Sequence, residues 1–248
     1  MRILWSELAE ESSDLTDATP LSTNIGFQNF LLSYAETFMA NWQLPVPPIY
    51  TIQSRGSCYA LDSKSVYLNL DKTDAQAQRA NKGMTAAADA EELAALFCLF
   101  HELTHAVQHH FYGDDRVLKN RLLMESHADT VAGFWLTPQL RNGVAELVAN
   151  IAFQLKSTFQ SRTHPPGCTR RSSVQKGMSI GSAMLFQDGD LTASISSREE
   201  LLKDSIRTAT ECLFNTPRPC DTLSEYWSQL NLGLCSTCPK AKQPEGAA

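Results

Sequence analysis

Between Ile25 and Trp42 apolar side chains recur every three or four residues, which puts Phe27, Phe30, Leu31, Tyr34, Phe38 and Met39 on one face of a predicted helix. Pro45, Pro47 and Pro48 end that pattern. Ile49 to Leu70 is rich in β-branched and aromatic residues, and Ser65-Val66-Tyr67-Leu68-Asn69-Leu70 alternates. Turn formers stand at Arg55-Gly56-Ser57 and Asp62-Ser63-Lys64, so the segment predicts two or three antiparallel strands. Lys72 to Ala90 is polar and alanine-rich and reads as a loop or a weak helix lying over something else. Helical periodicity returns from Glu91 to about His110, with acidic residues in the first turn, where the helix dipole favours them.

Tyr112-Gly113-Asp114-Asp115 then provides a stop and a new cap, and Val117 to Leu136 predicts the next helix. Thr137-Pro138 caps a third that runs towards Ser161. After the rigid Thr163-His164-Pro165-Pro166-Gly167 loop, helical patterns cover Ser173 to Phe186 and Arg198 to Phe214. These elements predict a mainly helical α+β fold with a small antiparallel sheet packed on the Glu91–His110 helix. A core over residues 1–190, a helical appendage over 191–238 and a disordered tail over 239–248 complete the expected organisation.

The chemistry is concentrated on that helix. His101-Glu102-Leu103-Thr104-His105 has the H-E-x-x-H form, in which histidines four apart project from one helix face towards one metal ion. Glu102 falls beside the first histidine, placed to take a proton from metal-bound water without becoming a ligand. Glu125, on the next predicted helix, is the candidate third ligand. Asp129, one turn further, is placed to accept the spare ring N–H of a ligand histidine and to set its tautomer. His109 and His110 extend the first helix as solvated or supporting groups, because a fourth protein ligand would close the position that catalysis needs open. His127 is expected to be structural or on the surface.

With Glu125 and Asp129 added, the pattern resembles the gluzincin metallopeptidases, whose signature is H-E-x-x-H followed on a later helix by E-x-x-x-D. His101, Glu102, His105, Glu125 and Asp129 match that signature residue by residue. The nineteen residues between His105 and Glu125 also match a thermolysin-like spacing. Glu125 to Leu136 resembles the E-x-x-A-D-x-x-A-G-x-W segment of small, minimal-domain bacterial metallopeptidases. Thr163-His164-Pro165 is similar to a T-H-P segment downstream of the ligand glutamate in a mostly membrane-embedded or secreted branch of these enzymes.

The resemblance implies a zincin-like fold, one Zn2+ per chain on His101, His105 and Glu125, and hydrolysis of a peptide bond by zinc-bound water activated by Glu102. It also implies an extended substrate lying along an edge strand, for which the strand ending Val66-Tyr67-Leu68-Asn69-Leu70 is the expected candidate. His164 is a candidate catalytic residue steadying the oxyanion, with Tyr112, Arg170 and Arg171 as alternatives.

Composition changes this picture in three ways. At 248 residues the chain can bury a core without metal or disulfides. A net charge of −6 gives no general attraction to nucleic acid or to anionic membranes. The opening Met1-Arg2-Ile3-Leu4-Trp5 runs straight into acidic residues instead of a secretory signal, and Leu93–Phe100 is too short to span a bilayer. A cytoplasmic protein is therefore expected, acting, as the resemblance implies, on a peptide or protein. Seven cysteines do not form a secreted disulfide pattern. Cys98 reads as buried packing, while Cys235 and Cys238 have C-x-x-C spacing and with Cys212 and Cys220 are a candidate second metal set. Two rival classes stand beside the enzyme: a zinc-bearing but inactive regulatory or interaction domain, and a helical interaction protein without metal.

Overall fold

The computed structural model describes residues 17–54, 56–81, 90–119, 121–137, 144–154 and 167–186. The chain begins with β1 (Thr19–Pro20) and α1 (Gly26–Asn41), followed by β2 (Ile49–Thr51), β3 (Cys58–Ala60) and β4 (Ser65–Leu68). Five helices follow: α2 (Leu70–Ala80), α3 (Ala90–Lys119), α4 (Arg121–Leu136), α5 (Val144–Gln154) and α6 (Gly167–Phe186). The architecture is α+β and mainly helical. The predicted appendage, its cysteines Cys212, Cys220, Cys235 and Cys238, the tail and His164 lie outside the described residues.

Helix α3 is the centre of the molecule, since from Leu93 to Gln108 every residue except His105 is buried. A helix apolar on all sides needs neighbours on all sides. α1 covers it through aromatic rings, with Phe38 stacked on Phe100 at 5.5 Å and Trp135 of α4 5.2 Å from Phe38. The sheet and α2 lie against it elsewhere. Of the polar 72–90 segment, residues 72–80 are helical as part of α2, which owes its start to Asn69. That buried side chain accepts from the Lys72 N–H at 2.8 Å and donates to the Gln53 carbonyl at 3.0 Å, joining the end of β4 to the cap of α2.

The sheet differs from the antiparallel one expected. Its order is β1-β2-β4-β3, and β2 runs parallel to β4, with Ile49 opposite Val66. The reason is local. The Asp62-Ser63-Lys64 turn, with Lys64 at φ 50°, folds β3 back on β4 as an antiparallel hairpin, leaving β2 the other edge of β4. β4 is thus an interior strand and cannot serve as a substrate-pairing edge, a role its place in the sheet leaves to β1 or β3. β1, two residues with no alternation to betray them, has no sequence signal.

Two glycines shape the helical part. Gly113, at φ 68° and ψ 170°, breaks α3 in a backbone region that other residues scarcely enter, and this is the predicted stop. Gly177 lets α6 lie directly on α4, for a β-carbon there would run into the Thr130 carbonyl oxygen. That close approach brings the first turns of α6 to the residues of α4 that matter below.

Candidate metal centre

Histidines 101 and 105 stand one turn apart on α3, and their Nε2 atoms are 3.1 Å from each other. α4 crosses beside them and presents Glu125, with Oε2 3.3 Å from His101 Nε2 and Oε1 3.6 Å from His105 Nε2. His101, Glu102 and His105 each place one ligand atom, a ring nitrogen or a carboxylate oxygen, within 4.8 Å of the others. This His-Glu-His group could hold a metal ion.

Each imidazole is held from behind. His101 Nδ1 lies 2.9 Å from Asp129 Oδ1, and Arg170 of α6 donates to both Asp129 oxygens, Nε to Oδ2 at 2.8 Å and a terminal nitrogen to Oδ1 at 2.6 Å. His105 Nδ1 lies 2.8 Å from the amide oxygen of Gln108. Asp129 is fully buried and Arg170 nearly so. Burial by itself would raise the Asp129 pKa, but the Arg170 charge and the His101 hydrogen bond outweigh it and hold the carboxyl below its usual range. Burial likewise acts to lower the His101 pKa, yet the bonds to Asp129 and Glu125 raise it to about 9.

The structure brings together His101, Glu102, His105, Glu125 and Asp129. It gives other roles to two residues considered for the oxyanion. Arg170 sits behind His101, on the Nδ1 side away from the ring nitrogens that face Glu125, and is engaged with Asp129. Arg171 pairs with Glu146. The Tyr112 side chain lies outside the described residues. His109 bonds the Tyr59 hydroxyl of β3 through Nδ1 at 2.8 Å, and His110 is exposed. His127 is buried and bonded to Gln108. Burial pushes the Cys98 thiol up to about 12, which leaves it an inert packing group beside Thr73.

Sequence reasoning missed Gln108 and the structural use of Arg170. Gln108 had a signal, because it lies three residues after His105 on the same helix face. Arg170 had none, being 41 residues from its partner.

The chain matches no protein-family model, and comparison with curated proteins and with solved structures also gives no match. Among the described residues, no helix is long and apolar enough to cross a membrane.

Proposed function

We propose that the chain is a zinc-dependent peptidase of the gluzincin type, acting in the cytoplasm on a peptide or protein, with His101, His105 and Glu125 as ligands and Glu102 as general base. The observation that carries this reading is the convergence of the donors: His101 Nε2 lies 3.1 Å from His105 Nε2 and 3.3 Å from Glu125 Oε2, and His105 Nε2 lies 3.6 Å from Oε1 of the same carboxylate. A tetrahedral ion with bonds of about 2.05 Å needs ligand atoms about 3.3 Å apart, close to the separations His101 Nε2 makes with His105 Nε2 and Glu125 Oε2. The donor set also fits: two imidazoles and one carboxylate are a catalytic zinc set that leaves a corner free.

When bound, zinc would polarise a substrate carbonyl and acidify a water. Glu102 supports the proton traffic: it follows His101 directly in the chain, is mostly buried, and has a carboxylate oxygen within 4.8 Å of a ring nitrogen of each histidine. From there it takes the proton of the attacking water and delivers it to the leaving nitrogen. Asp129 and Gln108 keep the two Nε2 atoms turned towards Glu125. β3 offers the sheet edge packed against α3, and an extended substrate would pair there.

Elemental analysis of the purified protein beside His105→Ala and Glu125→Ala tests the ligand set. About one zinc in wild type and a large loss in both variants is expected, and equal zinc in all three would end the proposal. Glu102→Gln should keep its zinc and lose cleavage of an unfolded protein such as casein. Zinc retained with no cleavage by the wild type on any peptide would favour the inactive, zinc-bearing binding domain.

A further inference from the structure

Gln108 is fully buried on α3 and makes three hydrogen bonds that together allow one arrangement of hydrogens. Its amide nitrogen is 3.0 Å from the Met124 carbonyl oxygen, which can only accept, so the nitrogen and not the oxygen must face α4. The second amide hydrogen points at His127 Nδ1, 2.8 Å away, which must therefore be the acceptor nitrogen of that ring. With both hydrogens used, the amide oxygen is left for His105 Nδ1 at 2.8 Å, and His105 must donate. A neutral ring with its hydrogen on Nδ1 has its lone pair on Nε2, the atom that faces Glu125.

The bonds also straddle the third ligand, because Met124 and His127 flank Glu125 on α4. One side chain thus sets the tautomer of His105 and the position of the α4 turn that carries Glu125. We infer that Gln108, locked by Met124 and His127, is a positioning residue for metal binding that presets the His105 tautomer and the His105–Glu125 spacing before any ion arrives. The inference rests on the zinc reading above, but its tautomer half can be read without metal.

The test compares wild type, Gln108→Met and Gln108→Glu by competition for Zn2+ against a chromogenic chelator and by long-range 1H–15N NMR of the imidazoles in the zinc-free proteins. Wild type should show His105 as the Nδ1–H tautomer. Gln108→Met, close in volume but unable to accept, should lose that tautomer and bind zinc roughly 10- to 100-fold more weakly. Gln108→Glu restores the acceptor for His105 but cannot donate to the Met124 carbonyl, so it should restore the Nδ1–H tautomer and only part of the affinity, binding zinc severalfold better than Gln108→Met, while His127 gains a hydrogen on Nδ1 to meet the new carboxylate.

Packing alone predicts the opposite order, since a buried charge is the harsher change. The inference fails if Gln108→Met keeps the wild-type tautomer and affinity, or if Gln108→Glu binds no better than Gln108→Met. Should Gln108→Met not fold, the His105 tautomer in wild type and Gln108→Glu decides, and Nε2–H in wild type overturns the inference. Should wild type bind no zinc, the metal reading falls first and the zinc-free spectra still judge Gln108.

Discussion

Arg170 grips Asp129 through both carboxylate oxygens, at 2.8 and 2.6 Å, inside a part of the protein from which water is excluded. Asp129 in turn holds His101 Nδ1 at 2.9 Å, and Arg170 itself comes within 3.4 Å of the same nitrogen, so α6 buttresses the candidate metal centre from behind His101. Arg170→Met would leave the Asp129 charge buried with only His101 to answer it. Loss of one partner of a buried pair costs on the order of 3–5 kcal/mol. Urea unfolding of the metal-free variant should show a loss of that size. Arg170→Lys should recover little, because an ammonium cannot reproduce the two-pronged contact. A midpoint unchanged in Arg170→Met would mean that the pair is not structural.

The same pair gives His101 an unusual pH response. Burial opposes its charge, but Asp129 and Glu125 lift its pKa from 6.5 to about 9, so the metal-free protein carries His101 as imidazolium at neutral pH. A folded-state pKa above the unfolded one means a stabilising contribution that is complete below about 6.5 and lost as pH rises through about 9. Chelator-treated protein should therefore melt at lower temperature as pH goes from 7 to 10, in a range where no other histidine shift described above acts. Zinc must displace the His101 proton, so its affinity should strengthen over the same interval and the gap between zinc-loaded and chelated melting curves should widen. Thermal scans with and without EDTA read both slopes, and parallel curves would contradict the assignment.

Gly177 is the packing counterpart of these charges. Its missing side chain allows α6 to meet the α4 backbone at Thr130, next to Asp129. Gly177→Ala forces rigid backbone apart, for which overpacking costs of about 1–3 kcal/mol are usual. It should also move Arg170 away from Asp129, so zinc affinity should fall although residue 177 is no ligand. Lost stability with intact affinity would show that α6 and the centre are mechanically independent.

How much of this was visible in the chain depended on the length scale of the interaction. His101 with His105, and Glu125 with Asp129, are each four apart on a helix, so periodicity displays the faces they share. The long central helix and its break at Gly113 were legible for the same reason, as were most of α1 and the later part of α6. What could not be read were relations that exist only after helices pack or strands pair. Arg170 finds Asp129 across a helix crossing made possible by Gly177, and no local pattern announces such a meeting. The parallel pairing of β2 with β4 is also non-local: alternation marks a strand but not its neighbour or direction. Gln108 lay between these cases, since its spacing from His105 was plain while its α4 partners were not.

His127 supplies a prediction at acid pH. Burial, and then the charge of His105, push its pKa from 6.5 down to about 3, so it stays neutral and accepts from Gln108 well below the pH at which an exposed histidine is protonated. The sign is opposite to that of His101. Between about 6.5 and 3 the unfolded chain takes up a proton that the folded one refuses, and folding loses stability as pH falls, by about 1.4 kcal/mol per unit from this one group. His101 contributes no slope there, because below 6.5 it is protonated in both states. Asp129, with a pKa held below its usual 3.8, adds its own loss only when pH drops beneath the ordinary carboxylate range. His127→Gln keeps an acceptor oxygen for Gln108 and removes the titration. In metal-free urea melts at pH 7, 6 and 5, the wild type should change little from 7 to 6, where the His101 gain offsets the His127 loss, and lose stability from 6 to 5, while the variant should lose distinctly less at that second step. Equal losses in the two proteins would show that His127 is charged in the folded state, and that the amide of Gln108 is not locked in the way its three bonds imply.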